Sequence, residues 1–147
     1  MLAGLYEKND DLETCHALCQ EAGRKADCPE ASYWHGIVHR RELDFSNARG
    51  WFQKTTDLSV LSEIHREVCA FLPRALQVPN YGAAREVALR FLQHLQSHGT
   101  WDALYFVDLC EACVKGGTEE ERRLLEEVQE IEFNTLFDWT YRMAVGE

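Results

Sequence analysis

Apolar residues in this chain recur three and four positions apart almost from end to end, and almost nowhere do they alternate with polar ones. The first spacing puts side chains on one face of an α-helix; alternation would put them on one face of a strand. A chain patterned this way folds as helices packed on helices, because each apolar stripe must be covered by another. Leu12, Cys15, Cys19 and Ala22 form one stripe, and Tyr33, Trp34, Ile37 and Val38 a second. Leu61, Ile64, Val68, Phe71 and Leu72 form a third, and Tyr81, Ala84, Ala88, Phe91 and Leu95 a fourth. A chain of this length makes one ordinary domain and buries about 70% of its unfolded surface on folding. The expectation is an all-α fold in a single domain spanning residues 1–147.

Short polar residues, glycines and prolines punctuate the stripes. A first short segment covers about Met1 to Lys8, and Asn9-Asp10-Asp11 makes a turn whose aspartate can cap the next helix. Pro29 suits a first helical position, with a helix reaching about Glu42. Asp44-Phe45-Ser46-Asn47 breaks it before a helix that holds Ala48, Trp51 and Phe52. Asp57 or Ser59 opens the next helix, and Pro73 inside its pattern should kink or end it. Asn80 is expected to cap the fourth stripe and Gly99 to stop it. Thr100 is expected to cap a helix from Trp101 to Lys115 that ends at Gly116-Gly117. Thr118-Glu119-Glu120-Glu121 is a capping box, opening a last helix to about Ala144 with its acids at the positive end of the helix dipole.

Between Tyr33 and Thr55, the residues Gly36, His39, Ala48, Phe52 and Thr55 alternate small and large at separations of 3, 9, 4 and 3. Small residues let two helices cross closely, and large ones fill the next groove. This spacing, with the phrase Asp44-Phe45-Ser46-Asn47-Ala48-Arg49-Gly50-Trp51-Phe52-Gln53-Lys54, resembles the helical hairpins of tetratricopeptide and Sel1-like repeats. Ala3, Tyr6, Cys15, Cys19 and Ala22 repeat the separations 33 residues earlier. His39 stands where the family's signature tyrosine would be, and no further copy follows residue 57. The resemblance implies TPR-like antiparallel hairpins over residues 1–56, packed on a C-terminal helical bundle over 57–147. A second resemblance, to an uncharacterised bacterial and fungal family, is carried by Tyr33-Trp34-His35, His39-Arg40-Arg41-Glu42 and Phe106-Val107-Asp108-Leu109-Cys110-Glu111; it implies no activity.

Acidic residues number 25 against 15 lysines and arginines, a net charge of −10. That balance argues against nucleic acid, whose binding depends on neutralising phosphates, and against anionic membrane surfaces. It favours a basic partner. The longest apolar runs are too short to span a bilayer, and no basic leader precedes a long apolar stretch, so the chain reads as a cytoplasmic protein. In that compartment the six cysteines read as reduced thiols buried on apolar faces. Cys110 and Cys113 form a CxxC near a helix C-terminus, where the dipole raises a thiol pKa rather than lowering it.

The densest polar cluster is His35, His39, Arg40, Arg41, Glu42 and Asp44. His35 and His39 are four apart, a spacing that presents two imidazoles to one divalent metal. They make half a site, to be completed by a carboxylate such as Asp108, Glu111 or Glu132; Cys15-His16 with Cys19 is a second, separate clip. The structural alternative has His39 packed between helices and His35 on the surface. Arg40 and Arg41 either form salt bridges around the turn or grip a carboxylate or phosphate. Asp108 and Glu111 lie three apart on an otherwise apolar helix, where one of them would be partly buried against Arg40 or Arg41 unless both form a solvated strip. His94 and His98 are another pair four apart, at a helix end where His98 can meet terminal carbonyls. The aromatic run Phe133 to Met143 reads as core, with its exposed part a face for a homodimer.

Two functions remain open at this point. One is a non-catalytic interaction module binding a peptide, protein or small anion through a groove lined by His35, His39, Arg40 and Trp51. The other is a small metal- or anion-binding protein, with hydrolase activity as an extension, built on the same cluster beside Asp108 and Glu111. No phosphate loop and no nucleophile elbow occurs in the chain.

Overall fold

The computed structural model describes residues 3–4, 9–25 and 28–146, with backbone only for 23–25. Among them there are seven α-helices, one 3₁₀ turn and no strand. The reading of a helix over Met1 to Lys8 lies, apart from residues 3 and 4, outside the described residues. The chain's contacts divide it into two compact units, Met1–Leu58 with Phe137–Glu147, and Ser59–Leu136. The expected seam after residue 56 falls two residues before this boundary, and the end of the last helix belongs with the first unit.

The first unit holds α1 (Leu12–Lys25), α2 (Pro29–Arg41) and α3 (Phe45–Phe52). Asp11 caps α1 by accepting from the Thr14 N–H at 3.1 Å. Cys15 and Cys19 are buried on its inner face. Every residue of α2 from Ala31 to Arg40 is buried. Gly36 is there because α3 comes so close: a Cβ at that position would stand 2.8 Å from the Phe52 ring. Ala48, wholly buried, is the matching small residue on α3.

The expected break over residues 44–47 is tighter in the structure. Leu43 takes a left-handed conformation there, φ 62°. The Asp44 N–H donates to the His39 carbonyl at 2.8 Å, and the Leu43 N–H to the Arg40 carbonyl at 3.1 Å. This is the Schellman closure, with leucine where glycine is usual. Asp44 then caps α3 at once, and Phe45, Ser46 and Asn47 are already helical.

The second unit contains α4 (Val60–Ala75), a 3₁₀ turn (Pro79–Tyr81), α5 (Arg85–His98), α6 (Ala103–Gly116) and most of α7 (Glu119–Val145). Its core takes Ile64, Val68 and Leu72 from α4 and Ala88, Phe91 and Leu95 from α5, all on the predicted stripes, and adds Leu124 and Val128 from α7. Pro73 does not end α4, which runs on to Ala75. A proline removes one N–H, and this close to the C-terminus a single missing bond leaves the last turn standing. Asn80 does not cap α5; it lies in the 3₁₀ turn, and buried Ala84 occupies the cap position without a side-chain bond.

Gly99 stops α5 in the left-handed region, φ 80°. Asp102, not Thr100, caps α6, accepting from the Tyr105 N–H at 3.0 Å, while Trp101 is buried ahead of the helix. Thr118 and Glu121 form the capping box in both directions, at 3.1 and 2.8 Å. No helix is long and apolar enough to cross a membrane among the described residues. None of the six cysteines is in a disulfide.

Candidate functional site

Three histidines converge within the first unit. α2 supplies His35 and His39, one turn apart on one face, and α1 supplies His16. Their ring centroids lie 4.6 Å (His16 to His35), 5.0 Å (His16 to His39) and 4.8 Å (His35 to His39) apart. One donor nitrogen from each ring can be chosen so that all three lie within 4.8 Å of one another. No other group of three or more such ligands forms among the described residues.

The helices force this arrangement. His39 follows Val38 in a helix buried on all sides, and its backbone carbonyl closes the turn at Asp44. His35 is 1% exposed rather than on the surface, correcting the structural alternative. Its ring stacks on Trp51 of α3, centroids 4.0 Å apart and 22° from parallel. Lys54 sits over the Trp51 ring at 4.0 Å. His16, half-buried, follows Cys15 on the stripe that packs α1 against α2.

Neither ring nitrogen of His35 has a hydrogen-bond partner, nor does Nδ1 of His39. A buried polar atom left unpaired costs about 1–3 kcal/mol. Burial pushes the His35 pKa down to about 4, helped by His16, His39 and Lys54. Burial and His16 lower that of His39, against the pull of Asp44 and Glu42 upward. Both imidazoles are therefore neutral at neutral pH, the form that ligates metal.

Carboxylates stand behind His39. Its Nδ1 is 3.5 Å from Asp44 Oδ2 and 3.7 Å from Glu42 Oε2. Asn47 holds Asp44 in place, donating its backbone N–H at 3.3 Å and its side-chain amide at 2.6 Å. These two bonds also hold the Asp44 pKa below the usual carboxylate range.

The other expected site residues are placed as follows. Arg40 is buried, with its guanidinium carbon 5.6 Å from the Phe52 ring centroid. Arg41 pairs with Asp10. Asp108 and Glu111 belong to the second unit, where Asp108 is exposed and Glu111 accepts from Lys115 at 2.6 Å. The fully buried carboxylate of that unit is Glu132. Of the CxxC pair, the Cys113 thiol is pushed up by burial and by Glu121. The sequence reading paired His16 with Cys15 and Cys19; the structure pairs it with His35 and His39. No local motif links residues 16 and 35, and the only hint is that His16 borders an apolar stripe.

No protein-family model, no curated protein and no solved structure matches the chain.

Proposed function

We propose that the first unit binds one divalent transition-metal ion through His16, His35 and His39. The observation that supports this is the convergence of three imidazoles from two helices on donor atoms within 4.8 Å, with His35 buried and lacking any hydrogen bond of its own. An ordinary core histidine would have at least one partner. All-imidazole ligation suits zinc, copper, nickel or iron rather than magnesium or calcium. At metal–nitrogen distances near 2.05 Å, tetrahedral ligands stand roughly 3.3 Å apart, so the cluster tightens by about 1.5 Å on binding. Half-buried His16 is the ring with room to move. Three protein ligands leave a fourth position for water or an anion. The reading as a peptide- or protein-binding module rests on the small–large spacing of α2 and α3; the metal reading adds a set of donor atoms and so stands first.

The test is zinc and nickel titration of the metal-free protein by calorimetry. One ion per chain is expected, and His16→Ala with His39→Ala should weaken binding at least a hundredfold. Retention of parental affinity by that variant would overturn the proposal.

A further inference from the structure

Asp44 stands where two structural needs meet. As the first residue after a left-handed Leu43, it receives the chain from α2 and caps α3 in the same step. Its carboxylate is therefore fixed by the fold: Oδ1 accepts from the Asn47 N–H and Oδ2 from the Asn47 amide. The same Oδ2 lies 3.5 Å from Nδ1 of His39. That separation is a few tenths of an ångström beyond a hydrogen bond and is closed by a small rotation of the imidazole. Leucine in the left-handed region costs roughly 1 kcal/mol that glycine would avoid. Strain of that kind next to a convergence of polar groups marks a position set by something other than stability.

We propose that Asp44 is a positioning residue for the metal site, receiving the Nδ1–H of His39 so that Nε2 is the nitrogen presented to the ion. The inference rests on the three-histidine reading. A histidine ligand that donates its second nitrogen to a carboxylate has a fixed tautomer and ring orientation and is a stronger ligand for it. Glu42 is a poorer candidate, being more distant at 3.7 Å and having no cap to hold it. The same placement explains why no carboxylate needs to enter the coordination sphere: it acts one bond behind it.

The variant is Asp44→Asn. Asparagine caps a helix as well as aspartate does, so the metal-free protein should keep its helix content and melting point. Asp44→Ser, a second capping residue without a carboxylate, guards against an effect peculiar to asparagine. Zinc affinity should fall 10- to 100-fold in both. The visible absorption of the cobalt form, which reports ligand geometry, should change in both. Glu42→Gln should stay within about threefold of the parent, since its carboxylate is unfixed. Parental zinc affinity and an unchanged cobalt spectrum in Asp44→Asn and Asp44→Ser would overturn the assignment while leaving the metal site intact. A larger effect from Glu42→Gln would also overturn it. Failure of the parent protein itself to take up zinc or cobalt would overturn the three-histidine reading, and this inference with it.

Discussion

Two histidine pairs in this chain look alike in sequence and end in opposite circumstances. His35 and His39 on α2 are one turn apart, as are His94 and His98 on α5. The second pair meets a carboxylate: His94 Nε2 lies 2.8 Å from Asp102 Oδ2, and His98 Nε2 lies 3.8 Å from it. Its rings are partly exposed, with His94 also stacked on Tyr105 at 3.7 Å. Asp102 is at the same time the cap of α6, so the pair is tied to a helix end. The first pair meets a third imidazole, is buried, and has no hydrogen bond to either nitrogen of His35. Spacing therefore makes two imidazoles neighbours, and the group that faces them decides whether they are tied to a helix end or are left buried with ring nitrogens unpaired.

The contrast gives predictions of decreasing size. The largest concerns acid. Between pH 6.5 and about 4 the unfolded chain protonates His35 while the folded one does not, so stability falls as pH falls through that window. The full loss is about 3 kcal/mol, readable from urea unfolding of the metal-free protein at pH 7.5, 5.5 and 4. Asp102 acts lower: burial raises its pKa, but the Tyr105 N–H and His94 outweigh that and hold it below 3.8. Its contribution is intact above 3.8 and is lost only as pH falls further. A stability curve flat from pH 6.5 to 4 would erase the distinction between the two pairs.

Next comes the ion itself. Zinc at a hundred times its dissociation constant should stabilise the parent by about 2.7 kcal/mol. His94→Ala with His98→Ala should keep that gain, and His16→Ala with His35→Ala should lose it, in paired melts with and without zinc. Equal losses in both double variants would mean that the pairs are not different in kind.

A smaller effect is expected at the cap. Asp102→Ala should cost about 1 kcal/mol of stability and Asp102→Asn only a few tenths, measured by thermal unfolding. Smallest is Leu43→Gly, which relieves the left-handed leucine but loosens the unfolded chain; a net gain of about 0.5 kcal/mol is expected. A loss there would show that exposed Leu43 contributes contacts that outweigh its backbone strain.

The helices were legible in the sequence because each stripe repeats at helical spacing, and the capping box at Thr118 and the stop at Gly99 are local chemistry. The misplaced starts at Asn80 and Thr100 share a cause. In both, a nominal cap residue lay ahead of a residue the core wanted buried, four positions before Ala84 in one case and directly before Trp101 in the other. Burial set the boundary, and the cap was the buried Ala84 itself in one case and the neighbouring Asp102 in the other. Of the site, the pair on α2 was visible and its third member was not. His35 and His39 are related by one turn of one helix, whereas His16 reaches them through the packing of α1 on α2. Gly36 and Ala48 announced close packing of α2 on α3, but no residue announces which side chain will face a buried ring from another helix.

The path of α7 has a consequence for how the molecule is made. Its residues up to Leu136 belong with the second unit, and from Phe137 onward with the first. Phe137 comes to rest against Gly4, where a Cβ would stand 3.2 Å from its ring and 2.8 Å from that of Trp34. The first unit is thus assembled from segments separated by the whole of Ser59–Leu136. On a ribosome its opening helices emerge early and wait, with part of their apolar cover still untranslated. Vectorial synthesis would complete the second unit first, and closure over so long an intervening segment makes the first the slower to finish.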